Sequence, residues 1–137
     1  MIILDTNVIS ELMRAVPNPS VMQWLNGCHP TEIAITSITQ SEILYGLSIL
    51  DDGQRKESLL NAAFGLFEDD FAERIFPFDA IAATQYADIA ALRRRSGRPI
   101  SQADAQIAAI VRSTNSVLAT RNVDDFVNCG IEVVDPF

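Results

Sequence analysis

Short apolar runs rich in β-branched residues alternate with helix-length segments along this chain, and that alternation restricts its fold more than any other feature. Ile2 to Leu4 is the first such run, and it stops at Asp5-Thr6-Asn7, residues that begin helices. Glu32 to Thr36, Ile75 to Phe78, Ser116 to Thr120 and Ile131 to Val134 are the others. Pro77 makes the third strand short or an edge.

Between these runs, apolar residues recur at helical spacing. Val8, Ile9, Leu12 and Met13 form one stripe, ended by Pro17 and Pro19, and Val21, Trp24 and Leu25 form the next. Thr39 is expected to open a helix with Ile43, Leu44, Leu47 and Leu50 inward, and a longer helix is expected over Gln54 to Phe71. Asp79 caps a segment running to about Ser96, where Gly97 and Pro99 stop it. Ser101 starts a helix with Ile107, Ile110 and Val111 inward, and Asp124 to Asn128 reads as a helical turn. Strands alternating with helices imply an α/β fold, a doubly wound parallel sheet of four to five strands flanked by helices. With 137 residues and no linker or repeat, one domain over residues 1–137 is expected.

No apolar run approaches the roughly 20 residues that cross a bilayer. Met1-Ile2-Ile3-Leu4-Asp5 has neither the basic region nor the cleavage site of a signal peptide, so a cytoplasmic location is expected. Cys28 and Cys129 lack metal-type spacing and read as reduced thiols, and His29 has no partners for a zinc site. The net charge of −8 excludes a surface that binds nucleic acid everywhere. It leaves two routes to phosphate: a local basic patch, such as Arg93, Arg94, Arg95 and Arg98, or carboxylates gathered around cations.

In open α/β sheets, ligands bind beyond the carboxyl ends of the strands. Asp5 ends the first strand, Glu42 is expected in the first turn of the helix after the second, Asp104 in the first turn of the helix starting at Ser101, and Asp124 and Asp125 follow the fourth strand. Acids gathered there repel one another unless a cation joins them, and oxygen ligands suit Mg²⁺ or Mn²⁺. Each also has a purely structural reading. Thr39-Gln40-Ser41-Glu42 and Ser101-Gln102-Ala103-Asp104 fit capping boxes, and Asp5 fits a simple N-cap. A haloacid-dehalogenase-type phosphohydrolase is disfavoured because Asn7 stands where its second Asp is needed.

Five segments, in order, carry a resemblance. They are Ile3 to Glu11, Thr36 to Thr39 with Glu42 to Gly46, Gly97 to Ile100 with Asp104 to Ala109, Leu118 to Asn122 with Asp125-Phe126, and the ending Val134-Asp135-Pro136-Phe137. Together they resemble PIN-domain ribonuclease toxins of the VapC and FitB type, over essentially the whole chain. The resemblance implies a Mg²⁺-dependent endoribonuclease (Mn²⁺ substituting), the toxin of a type II toxin–antitoxin pair. Asp5, Glu42 and Asp104 then form its acidic triad. Asp125 is the fourth acid, with Asn122 as an uncharged substitute. Thr6, Asn7, Thr120 and Arg121 are expected at the substrate phosphate, by helix-start backbone donors and hydroxyls. The implied partners are an RNA substrate, a small antitoxin covering the active site, operator DNA reached through that antitoxin, and a second copy of the chain in a homodimer. The alternative is a PIN fold with weak catalysis that serves as a binding module on operator DNA.

Overall fold

A computed structural model describes residues 1–137. Five strands, β1 (Ile2–Leu4), β2 (Ile33–Thr36), β3 (Ile75–Phe76), β4 (Val117–Ala119) and β5 (Glu132–Val134), form one sheet in the order β3-β2-β1-β4-β5. Every pairing is parallel. Six helices surround it: α1 (Thr6–Leu12), α2 (Pro19–Asn26), α3 (Ser37–Ser48), α4 (Gln54–Gly65), α5 (Ala80–Arg95) and α6 (Gln102–Ser113). No helix is long and apolar enough to cross a membrane.

The period of a strand divides the core in two. On β1, β2 and β4, Ile3, Ala34 and Leu118 join one buried cluster, while Leu4, Ile35 and Ala119 join the other. Consecutive residues face opposite sides of the sheet, and both sides are covered by helices, so the strands read as continuous apolar runs. The first cluster takes Ile107, Ile110 and Val111 from α6 with Ile89 from α5, and the second takes Val8 and Ile9 from α1 with Ile43 from α3. Ile110 is fully buried, so Ile110→Ala is expected to cost about 3 kcal/mol, the usual loss for such a truncation, read as a lower denaturation midpoint.

Several local readings change. α3 starts at Ser37, because Thr36 is its cap and its hydroxyl accepts from the Thr39 amide at 3.1 Å. β2 starts at Ile33, after a 3₁₀ turn over Pro30–Glu32 whose cap is His29. The helix from Gln54 is α-type only to Gly65, and Leu66–Asp70 is a π turn closed by the Phe71 amide on the Leu66 carbonyl at 2.8 Å. The turn after β4 is 3₁₀ over Val123–Phe126, and β5 begins at Glu132. β3 is a two-residue edge strand that ends before Pro77. Gly97, at φ 78°, follows the cap Ser96 and turns the chain out of α5 in a conformation that disfavours any residue with a side chain.

Candidate metal and phosphate site

β1 is the central strand, and the chain moves from it to β2 and β3 on one side before crossing to β4 on the other. The carboxyl ends of β1 and β4 therefore bound the crevice where the order reverses, the usual ligand site of such sheets. Leu4 pairs with Ala119, which places Asp5 and Thr120 side by side just beyond the strands.

Asp5 is 4% exposed, and every hydrogen bond it makes orients it. One carboxylate oxygen accepts from the Thr6 amide at 2.8 Å, capping α1. The other accepts from the Thr120 hydroxyl at 2.7 Å and the Asn7 amide nitrogen at 3.2 Å. Asn7 also donates to Thr120 at 3.1 Å and accepts from the Arg121 amide at 3.2 Å. Asp5 caps a helix and also faces a cavity.

Glu42 is not part of a capping box. With Thr36 as the cap, Glu42 falls in the second turn of α3, and no cap role remains for it. It accepts from the Thr6 hydroxyl at 2.7 Å, and Thr6 lies 3.0 Å from the buried Thr39 hydroxyl. A chain of hydroxyls thus ties the start of α1 to α3. Asp104 lies in the first turn of α6, where Ser101 accepts from its amide at 3.2 Å, and its carboxyl is half-buried.

Asp5, Glu42 and Asp104 line one cavity of about 560 Å³ with no hydrophobic residue in its wall. Thr6, Asn7, Arg121 and Asn122 line it too. Asp125 does not: with Asp124 and Asp135 it lines an adjoining cavity of about 390 Å³, which shares Arg121 and Asn122 with the first. Asn122, the substitute, stands on the wall of the acid cavity, and Asp125 acts on it only through its charge.

Burial pushes the Asp5 carboxyl up to about 6, against the donated hydrogen bonds of Thr120 and Thr6, with the Asp104 and Glu42 charges adding to the rise. Burial also raises Asp104, and the Asp125 and Glu42 charges push the same way against the Ser101 hydroxyl and Arg93. The cluster therefore holds more negative charge than its surroundings neutralise. No three carboxyl, imidazole or thiol groups converge closely enough to ligate one bare ion. The donors are all oxygens, and Mg²⁺ keeps several waters and takes only one or two carboxylates, so a hydrated ion fits this cavity.

A PIN domain family model matches residues 2–130. The chain belongs to the PIN domain family. Over the full 137 residues it is 35% identical to VapC ribonuclease Y4jK of Sinorhizobium fredii, covering 98% of that protein. It is also 35% identical to Toxin FitB of Neisseria gonorrhoeae, covering all of this chain and 99% of that protein. Among solved structures, FitAB bound to an IR36 DNA fragment superposes at a TM-score of 0.93 with 35% identity, covering 99% of this chain and 95% of that one. The VapC and FitB resemblance and the α/β PIN fold expected from the sequence are thereby met.

Three residues of this PIN domain carry structural weight that the sequence did not signal. Glu11 is 6% exposed, accepts from the Asn18 amide at 3.0 Å and pairs with Arg14 at 3.3 Å, fixing the turn between α1 and α2 on the cavity wall. Thr39 is fully buried beside Thr6 and Thr36. Arg93 leaves the expected basic patch altogether. It is 4% exposed, and its guanidinium donates to the carbonyls of Arg98 (2.7 Å), Asp125 (2.8 Å) and Val127 (3.0 Å). Arg94, Arg95 and Arg98 stay exposed.

Thr120 is fully buried and serves three partners: it donates to Asp5 and accepts from Asn7 and the Asn122 amide, the last at 3.1 Å. Thr120→Val is expected to cost about 2 kcal/mol, the penalty of leaving such groups unpaired. It also removes a bond that lowers the Asp5 pKa, so the acid limb of the pH–rate profile should move to higher pH. An unmoved limb would mean that Asp5 ionisation does not control the rate.

Proposed function

We propose that this PIN domain is a metal-dependent endoribonuclease, the toxin of a type II toxin–antitoxin pair, hydrolysing RNA phosphodiesters with metal-activated water. The observation that carries this reading is the junction of Asp5, Glu42 and Asp104 in one wholly polar cavity at the switch point of the sheet. Full-length likeness to a VapC ribonuclease supports the RNA substrate.

A bound Mg²⁺ would supply a water of lowered pKa and neutralise the non-bridging oxygens of the scissile phosphate. Asp5 and Asp104 are the residues to hold it, with Mn²⁺ able to replace it. Thr120 and Asn7 fix the orientation of Asp5. Glu42, exposed to the cavity and oriented by Thr6, is placed to direct the attacking water. Thr6 fixes Asp5 and Glu42 through its amide and hydroxyl, and the Asn7 backbone amide and the Arg121 guanidinium are placed to meet the phosphate. Asn122, an uncharged oxygen donor, completes the wall, and Asp125 adds charge from behind it.

The proposed partners are a small antitoxin whose tail covers the acid cavity, operator DNA engaged through it, and a second copy of the chain. Likeness to Toxin FitB and to a DNA-bound FitAB assembly supports them. The cytoplasm is the proposed location. Asn122 on the cavity wall favours a second reading, a weakly catalytic binding module. The two separate when antitoxin-free protein is given RNA and DNA of the same sequence, with Mg²⁺ or with a chelator. Internal cleavage of RNA only with the metal supports the nuclease. Intact RNA in every lane, from folded protein that binds its operator with antitoxin, supports the module.

A further inference from the structure

Next to the acid cavity runs a second, larger one of about 650 Å³, between α1, α3 and α4. The two are continuous, sharing Thr6, Ser10, Arg14 and Glu42. Their chemistry differs. The acid cavity sets four carboxylates, Asp5, Glu11, Glu42 and Asp104, against Arg14 and Arg121. The second has apolar walls that include Met13, Ile43, Leu47 and Leu59, and Glu42 is its one carboxylate against Arg14 and Arg55. The site of the proposed chemistry is thus net acidic, whereas the groove beside it sets Arg55 against Glu42, in a chain whose net charge is −8. Arg55 is exposed and makes no ion pair, unlike Arg14, which is held by Glu11.

We propose that this groove is the subsite for a nucleotide next to the scissile phosphate of a single-stranded RNA. The unstacked base lies against the apolar walls, and its phosphate lies on Arg55. The proposal rests on RNA being the substrate and goes beyond that reading by naming where the strand runs. Two features select this occupant. The unpaired Arg55 on its rim can meet a backbone phosphate, and the groove opens directly into the cavity where a phosphodiester would be cut. Its volume lies in the range of sites that bury a small ligand. Single-stranded RNA is recognised through unstacked bases held on aromatic rings or Arg guanidinium planes with cations on the backbone, and here Arg55 beside the aliphatic walls takes that part.

Gly46 makes the test clean. It lines the groove on α3, and a Cβ built on it meets nothing within 4 Å. Gly46→Leu should thus fill the groove without disturbing the fold, and Arg55→Ala removes an exposed charge. Both are placed in an Asp104→Asn background, so that binding is read without cleavage, using a fluorescent single-stranded 12-nucleotide RNA of mixed sequence with Mg²⁺ present. Gly46→Leu is expected to weaken binding about tenfold, the scale of one lost base contact. Arg55→Ala is expected to reduce the slope of log affinity against log salt by about 0.7, the value for one phosphate on a single strand. Unfolding temperatures that do not fall show that neither effect is structural. RNA binding indifferent to both changes overturns the subsite but leaves the nuclease reading standing. Loss of antitoxin binding with RNA binding intact also overturns it, and gives the groove to the protein partner. Failure of the Asp104→Asn protein to bind RNA at all overturns it as well. Cleavage by the wild-type protein decides the nuclease reading separately.

Discussion

Replacing Asp5 by Asn is expected to lower RNA cleavage by about a hundredfold or more and, in metal-free buffer at pH 7, to make the protein more stable. The two effects have one source. Asp5 is buried at the end of the central strand, with its pKa raised to about 6 by burial and by the nearby Asp104 and Glu42 charges. Its folded pKa lies above its unfolded value, so the native state binds the proton more tightly. The stability from protonated Asp5 is fully present below pH 3.8 and is lost as pH rises through about 6. At neutral pH the ionised group costs roughly 3 kcal/mol. Asparagine removes that charge, and its carbonyl oxygen can still cap α1 through the Thr6 amide. Its NH₂ would take the place of the oxygen that accepts from Thr120 and Asn7, and Thr120 already accepts from Asn7 and the Asn122 amide, so both bonds are lost and much of the gain is offset. A rise of about 5 °C in unfolding temperature is the expected scale. The expected fall in activity follows from the proposed role of Asp5 as a direct metal ligand, whose loss should cost at least the 10- to 100-fold that outer partners cost. Wild-type protein should gain stability on adding Mg²⁺, and the Asn variant much less. A drop of several degrees in the metal-free variant would show that the Asp5 charge does not oppose folding.

The second large effect is expected far from the cavity. Arg93→Ala should destabilise the protein by about 4 kcal/mol, because three carbonyls lose a charged donor whose hydrogen bonds contribute about 1.5–3 kcal/mol each, less the cost of burying the charge itself. The buried guanidinium collects the carbonyls of Arg98, Asp125 and Val127 and lies 3.6 Å from the Cys129 sulfur. Through them it joins the end of α5 to the Val123–Phe126 turn and the approach to β5. Lysine cannot reproduce this, because its ammonium lacks the planar fork that meets several acceptors at once. Arg93→Lys should therefore recover less than half of the loss, measured by chemical denaturation. Arg94→Ala, on the exposed side of the same run, should change stability by less than about 0.5 kcal/mol. Equal behaviour of the two alanine variants would contradict the distinction between them.

The contrast between Arg93 and its neighbours shows where the sequence becomes silent. A run of arginines at a helix end reads as solvated charge, and three of the four bear that out. The carbonyls that Arg93 meets include two more than thirty residues downstream, and local pattern carries no trace of them. The strands were legible because each is buried on both faces and so is apolar throughout. Asp5 was legible because an acid directly after a buried strand is out of place. α3 was misread by two residues for a chemical reason: Thr36, Ser37 and Thr39 all carry hydroxyls able to cap, and only the packed structure selects Thr36. That choice bears on the site, since it removes the capping role from Glu42. Asp125 and Asn122 are three residues apart in a 3₁₀ turn, and which of them faces the acid cavity depends on the path of the turn, not on composition.

The central claim is that Asp5, Glu42 and Asp104 act together as a cation-dependent nuclease centre. The most direct measurement is the rate of cleavage of a defined RNA by antitoxin-free protein as Mg²⁺ is raised from zero, with Asp104→Asn protein beside it. The account predicts a saturable rise for the wild-type protein, no cleavage in chelator, and loss of the rise in the variant. Cleavage that persists in chelator, or that survives the Asp104 change at the same Mg²⁺ dependence, would contradict it.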